Sequence, residues 1–285
     1  MTISIPNPGL YGVFGHPVAH SRSPHIHARF AELTGQQLQY GRHLCPLDGF
    51  VVTLEAFRAQ GGHGCNVTVP FKHEAFAWAA RHTPRAQLAQ AVNTLRFEAD
   101  GAWGDNTDGA GLVRDITLNA GVALAGQRVL LVGAGGAAAG VLAPLLAERP
   151  ALLQVVNRSA GKAHDLAQRH AEWAQAHGAE CRAGGLSEAL SGFDVVINAT
   201  ASSLGGANVP VSADTLRPGA LAYDMMYGSA AEPYLRWAAQ HGAIGRDGLG
   251  MLVEQAAEAF AWWRGVRPPS AQVLQELRQS LQEKT

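Results

Sequence analysis

Residues 128–140 read Arg128-Val-Leu-Leu-Val132-Gly133-Ala-Gly-Gly-Ala-Ala-Ala-Gly140, and this stretch decides the fold. Its unbroken aliphatic run predicts a strand buried on both faces. The glycines after it predict a sharp turn into a helix, and Gly133, Gly135 and Ala138 fit the spacing G-x-G-x-x-G/A. Without Cβ atoms, backbone N–H groups and a helix N-terminus can touch a pyrophosphate, so the stretch predicts a dinucleotide site. Close packing of helix on strand is the plainer use of the same glycines.

The second strand decides which dinucleotide. It ends in Val155-Val156-Asn157-Arg158-Ser159, about 20 residues beyond the turn, where an enzyme using NAD usually has an acidic residue on the ribose 2′-hydroxyl. A carboxylate would repel a 2′-phosphate, whereas a guanidinium binds it by charge-assisted hydrogen bonds. Asn157 and Arg158, with Ser159 and Lys162 close behind, therefore predict NADP. A solvated arginine at a strand end is the alternative.

The stretch from Val129 to Ala147 has no charged residue and approaches the ~20 residues of a membrane span. Gly133, Gly135, Gly136, Gly140 and Pro144 interrupt it, so a strand, a turn and a buried helix explain it better. Charged residues make up 16% of the 285, the net charge is -1, and no basic surplus is present to neutralise nucleic acid. Three cysteines, Cys45, Cys65 and Cys181, exclude a disulfide scaffold and suit a reducing compartment. Residues 1–10 show no basic segment followed by an apolar one, so a soluble, cytoplasmic protein is expected.

Alternation of short apolar runs with longer amphipathic stretches predicts an α/β architecture with parallel strands. The expected strands are Tyr11–Phe14, Gly64–Val69, Arg128–Val132, Leu153–Val156, Asp194–Asn198 and Ala220–Tyr223. The expected helices are Pro24–Thr34, Phe71–Arg81, Ala110–Ala120, Ala137–Ala147, Gly161–His177 and Leu249–Arg264. The nucleotide-binding pattern starts near residue 110, and the last amphipathic helices have no strands of their own. This predicts a discontinuous substrate-binding domain, 1–110 plus 245–285, around an inserted dinucleotide-binding domain, 111–244.

Three clusters before residue 110 carry chemistry. In His20-Ser21-Arg-Ser23-Pro24, Pro24 suits a first helical turn, which makes Ser23 a candidate N-cap. Two hydroxyls at a helix N-terminus also suit an anion. Asn66-Val-Thr68-Val-Pro-Phe-Lys72 sets Lys72 in the first turn of a helix, where a cation opposes the macrodipole; an exposed lysine is the alternative. Asn93-Thr94 and Gly104-Asp-Asn-Thr-Asp108-Gly109 form the third cluster. Asp108 is either a helix N-cap or a carboxylate paired with Lys72. Near the C-terminus, Gln255 edges an apolar stripe of Leu252, Ala256, Ala259, Phe260 and Trp263. It is either a solvated flank or an amide that a polyhydroxy ligand satisfies.

Together these strings resemble the shikimate dehydrogenase family. The match runs in order through Ser21-Arg-Ser-Pro24, Asn66-Val-Thr-Val-Pro-Phe-Lys72, Ala91-Val-Asn-Thr94, Gly104-Asp-Asn-Thr-Asp-Gly109, Gly133-Ala-Gly-Gly136, Asn157-Arg158-Ser159, Asn198-Ala-Thr200, Tyr223-Asp-Met225 and Asp247-Gly-Leu-Gly-Met251. The resemblance implies a substrate domain with a parallel-rich sheet, a Rossmann-like NADP-binding domain and an active site in the cleft between them. It implies NADPH-dependent reduction of 3-dehydroshikimate to shikimate, in a monomer or homodimer. By the same resemblance Ser21, Ser23 and Tyr227 hold the substrate carboxylate, Thr68, Asn93 and Gln255 bind ring hydroxyls, and Lys72 and Asp108 form the catalytic dyad. Gly133, Ala134, Gly135, Gly136, Ala137, Asn157, Arg158, Ser159, Lys162, Thr200, Met225 and Gly248 contact the cofactor.

Ala139 stands where relatives often carry a basic residue, and Lys162 where arginine is common. Alternatives are a quinate dehydrogenase preferring NAD and a non-catalytic NADP-sensing regulator on the same scaffold. The latter has no need of both Lys72 and Asp108. No ligand pair at a plausible site supports a metal on His25, His27 or Cys65, so no metal is expected.

Overall fold

The structure, a computed structural model, describes residues 8–200 and 210–282. The loop at 201–208, to which the sequence assigns no role, lies outside the described residues. The described residues up to Asp108, with those from Val253 onward, form one compact unit, and Gly109–Leu252 form a second.

In the first unit, β1 (Gly9–Gly15), β2 (Leu38–Leu44), β3 (Gly62–Val67), β4 (Arg81–His82), β5 (Thr94–Glu98) and β6 (Gly101–Asp105) form one sheet ordered β2-β1-β3-β5-β6-β4. β1 runs parallel to β2 and β3, while β5 is antiparallel to both β3 and β6. The helices α1 (Ser23–Thr34), α2 (Phe50–Ala59), α3 (Lys72–Trp78) and α4 (Pro84–Ala89) connect these strands. Phe14, Phe50, Leu54, Phe57, Val67, Phe71 and Leu95 make a continuous apolar core. Each such buried side chain contributes about 1.5–3 kcal/mol, which holds the strand ends that carry the candidate residues.

In the second unit, after α5 (Asp108–Arg114), every strand pairing is parallel. The strands are β7 (Arg128–Val132), β8 (Leu152–Asn157), β9 (Glu180–Gly185), β10 (Phe193–Asn198), β11 (Leu216–Asp224) and β12 (Ile244–Arg246). Their order is β12-β11-β10-β7-β8-β9. Counted from β7 this is 3-2-1-4-5-6, the Rossmann order, with its switch point between β7 and β10. α6 (Gly136–Ala147) is buried nearly all round. Its small residues admit α5: a Cβ on Gly109 would stand 2.7 Å from the Gly140 carbonyl oxygen. Among the described residues no helix is long and apolar enough to cross a membrane.

Several elements differ from their sequence expectation. The helix expected over 71–81 stops at Trp78, because Ala79 is extended and Arg81–His82 pairs with β6. The helix expected over 161–177 divides at His170 into α7 (Ala160–Arg169) and α8 (Ala171–Ala176). The one expected over 110–120 becomes α5 followed by a π-helical turn, Asp115–Asn119. There the buried Asp115 carboxylate accepts from Tyr223, Asn119 and the Arg246 fork. The strand expected to reach Val69 ends at Val67. Of the later helices, α9 (Glu232–Gln240) packs on β11 and β12, α10 spans Leu249–Arg264, and α11 spans Ser270–Gln282. Sequence reading placed the second boundary at 244/245. The contacts place it at 252/253, since β12 pairs with β11 and the Gly248 N–H donates to the Met226 carbonyl at 2.8 Å.

Candidate active site

The first unit gathers polar side chains from five elements around Asn93, which is buried. Lys72 is the first residue of α3 and Asp108 the first of α5. Lys72 Nζ donates to Asp108 Oδ2 at 2.6 Å, with side-chain exposures of 19% and 4%. The lysine is thus neither a solvated surface charge nor fully sealed from a ligand. Asp108 Oδ1 accepts from Asn93 Nδ2 at 2.8 Å, and the same amide nitrogen donates to Gln255 Oε1 at 3.1 Å. On its other side, Asn93 Oδ1 accepts from the Thr107 N–H and from the Thr94 hydroxyl, each at 2.8 Å. These donors fix which way the Asn93 amide points.

The loop carrying Asp108 is held from behind. Asp105 accepts the Arg85 fork at 2.7 and 2.5 Å, and Arg85 also reaches Glu258 on α10 at 3.2 Å. Asn106 Nδ2 donates to the Ala91 carbonyl, and Asn106 Oδ1 accepts from the Asp108 N–H. Buried, satisfied networks of this kind specify one geometry, because any slip strands a polar atom.

Thr68 sits in the turn between β3 and α3, its methyl against Gly15, where a Cβ would come within 2.4 Å of Thr68 Cγ2. Among the described residues the Thr68 hydroxyl has no hydrogen-bond partner, so it is available to a ligand. Ser23 does not cap α1. Arg22 occupies the cap position without a side-chain bond, and Ser23 is the first helical residue. Ser21 takes the capping part, its Oγ accepting from the Ser23 N–H at 3.3 Å and donating to Ser23 Oγ at 3.2 Å. Tyr227 belongs to the second unit, ahead of the short turn Gly228–Ala230.

Sequence reading missed Asn66 and Tyr40. Tyr40 donates to Asn66 Oδ1 at 2.7 Å, and Asn66 Nδ2 donates to the Thr94 hydroxyl at 3.0 Å. Asn66 precedes Thr68 by two residues in a string already singled out, and that period was the available signal. Tyr40 carried none.

In the second unit Gly133 has φ +118, and a Cβ there would meet the Ala199 carbonyl oxygen at 3.1 Å. Gly135 caps α6 in ordinary extended backbone, and a Cβ there would meet nothing within 4 Å. The first glycine therefore serves the turn, and the second leaves open approach to the helix N-terminus. Ala134, Gly135, Asn157, Arg158, Ser159 and Lys162 line a hollow of about 190 Å³. Neither Arg158 nor Lys162 has a carboxylate partner among the described residues. Two such cations beside a glycine turn fit a dinucleotide bearing a 2′-phosphate. Gly136 and Ala137 open α6, and Ala139 is buried in it.

Thr200 donates through its N–H and its hydroxyl to Asn198 Oδ1. Met225 and Gly248 pack together, so closely that a Cβ on Gly248 would meet the Met225 carbonyl oxygen at 2.3 Å. A larger hollow, about 520 Å³, opens near the strands' opposite ends, but its charged groups are taken, Asp194 by Arg217 and Arg246 by Asp115. Among the described residues no group of three or more His, Cys, Asp or Glu is placed to hold a metal.

Along 274 residues the chain is 65% identical to the shikimate dehydrogenase (NADP(+)) of Methylibium petroleiphilum, covering 94% of this chain and 93% of that protein. The chain belongs to the shikimate dehydrogenase family. Family models agree segment by segment: the shikimate dehydrogenase substrate binding domain matches 13–95, the shikimate / quinate 5-dehydrogenase model 116–206, and the shikimate 5′-dehydrogenase C-terminal domain 248–278. Among solved structures, an Ael1 enzyme from Pseudomonas putida is 45% identical, with TM-score 0.86 over 94% of this chain and 98% of that one. The shikimate 5-dehydrogenase of Thermus thermophilus, solved with NADP(H) and shikimate, is 30% identical, with TM-score 0.82 over 95% and 99%.

Proposed function

We infer that this protein catalyses the reversible NADPH-dependent reduction of 3-dehydroshikimate to shikimate. The observation that carries the reading is the Lys72–Asp108 pair at 2.6 Å, locked by the Asn93 amide, whose orientation is fixed and which also meets Gln255. Ser21, Ser23 and Tyr227 take the substrate carboxylate, and Thr68, Asn93 and Gln255 take the ring hydroxyls. Asn66 joins them through Thr94. The turn at Gly133–Ala137, the residues Asn157, Arg158, Ser159 and Lys162, and Thr200, Met225 and Gly248 hold NADP. When bound, the reduced cofactor supplies the hydride.

As hydride reaches the carbonyl carbon, negative charge grows on the carbonyl oxygen, which must be protonated. Among the three clusters only Lys72 both stabilises that charge and donates a proton. Asp108 accepts from the ammonium and aims it, and Asn93 keeps Asp108 from turning away. In the oxidative direction the lysine takes the proton from the substrate hydroxyl. A domain holding the substrate and one holding NADP divide the labour between the two compact units. The free thiols of Cys45, Cys65 and Cys181 suit a reducing, cytoplasmic setting.

Oxidation of shikimate and of quinate, each with NADP and with NAD, tests this reading. Shikimate with NADP should give the highest kcat/KM. Faster turnover of quinate with NAD would replace it by the quinate alternative.

A further inference from the structure

On β2, Tyr40 and Arg42 are two residues apart, so their side chains leave the same face of the strand. Arg42 turns both Nε and Nη2 onto a single atom, the carbonyl oxygen of Ser21, at 2.9 and 2.6 Å. That carbonyl belongs to the turn that presents the Ser21 and Ser23 hydroxyls. The Ser21 N–H donates to the Val18 carbonyl at 3.0 Å, and Ser21 Oγ accepts from the Ser23 N–H. Arg42 therefore grips the backbone that sets where both serine hydroxyls stand.

Its charge is unanswered. In the same unit the guanidinium groups of Arg29, Arg81, Arg85, Arg96 and Arg267 each meet a carboxylate. Arg42 meets none among the described residues. A carbonyl oxygen accepts hydrogen bonds but neutralises no charge. A monoanion arriving at the Ser21–Ser23 hydroxyls would supply the missing counter-charge.

We propose that Arg42 completes the carboxylate end of the substrate site, as a positioning residue for Ser21 and Ser23 and as the cation that draws the substrate's carboxylate in. This rests on the reading of those serines as the carboxylate subsite. The two contributions separate by physics. A forked grip on a carbonyl acts through geometry and is indifferent to salt, whereas the field of an exposed charge fades as ionic strength rises. Because the side chain is exposed, the charge contributes only about three- to tenfold in substrate KM at low salt.

The test compares shikimate oxidation by the wild type, Arg42→Met and Arg42→Lys at low and at high KCl, with shikimate methyl ester as an uncharged competitive inhibitor. Arg42→Met should raise the shikimate KM about tenfold at low salt and less at high salt, with kcat and the KM for NADP unchanged. Arg42→Lys should keep the salt dependence while its KM stays raised about two- to threefold, since one ammonium cannot make the forked contact. The ester's inhibition constant should weaken equally in both variants, reporting the grip alone. A wild type that leaves shikimate unreacted overturns the substrate reading and this inference with it. A wild type that oxidises shikimate while Arg42→Met matches its KM at every salt concentration overturns this inference alone. Equal loss for shikimate and its ester in Arg42→Met removes the role of charge, and a parallel rise in the KM for NADP shows a merely structural role.

Discussion

Replacing Asp108 by asparagine is the sharpest probe of the dyad, because the structure leaves the new amide no good orientation. The carboxylate accepts from Lys72 Nζ at 2.6 Å on one oxygen and from Asn93 Nδ2 at 2.8 Å on the other. Asn93 cannot turn over to help, since its own Oδ1 is pinned by the Thr107 N–H at 2.8 Å. Whichever way the new amide points, its NH2 group faces a donor, either the ammonium or Asn93. One charge-assisted hydrogen bond is lost, about 1.5–3 kcal/mol, and a donor is left unmatched at a cost of about 1–3 kcal/mol. If about 3 kcal/mol of that appears in the transition state, where the ammonium must be aimed at the reacting oxygen, kcat falls about 100-fold.

The assay is NADP reduction by shikimate followed in the near ultraviolet, for Asp108→Asn, Lys72→Met and the double variant. If Asp108 works through Lys72, removing both should cost little more than removing Lys72 alone. The melting temperature should fall by about 5 °C or more, because the mismatch is buried at Asp108 and Asn93. Full additivity of the two losses would refute the reasoning, as would an Asp108→Asn variant that keeps more than about a third of the wild-type kcat.

Ser23→Ala should raise the shikimate KM about five- to 100-fold with the melting temperature almost unmoved, since no capping bond is lost; a fall in stability at constant KM would return Ser23 to a structural part. Arg158→Ala should raise the KM for NADP far more than that for NAD, and equal losses with both cofactors would remove its role in selecting the 2′-phosphate. Gly135→Ala should weaken NADP binding without lowering stability, whereas Gly133→Ala, at φ +118, should cost about 1–2 kcal/mol of stability; calorimetry and NADP titration separate the two. Burial holds the His27 imidazole down at about 3, below its unfolded value near 6.5. The unfolded chain then binds a proton that the folded one refuses, so stability drops by up to about 1.4 kcal/mol per pH unit between roughly 6.5 and 3. His27→Phe should flatten this slope in acid melts, and an unchanged slope would show that His27 does not control it.

The sequence by itself determined whatever is written in short-range pattern. Gly133, at φ +118 after an unbroken aliphatic strand, dictates the turn, Gly135 leaves the helix N-terminus open, and Arg158 follows the next strand about 20 residues on. Asn66-Val-Thr-Val-Pro-Phe-Lys72 and the run ending at Asp108 were likewise legible, each as a local string. Tertiary structure decided which of these groups meet. The Lys72–Asp108 and Asn93–Gln255 bonds join residues far apart in the chain, and no periodicity encodes which atom faces which. The capping bond moved from Ser23 to Ser21, and a helix yielded to a π-helical turn where Asp115 gathers Tyr223, Asn119 and Arg246. Tyr40 and Arg42 gained meaning only from their partners, Asn66 across the sheet and the Ser21 carbonyl in the turn before α1. Hydrogen bonds of this kind depend on distances of a few tenths of an ångström between elements, and packing sets those distances after local propensity has done its part.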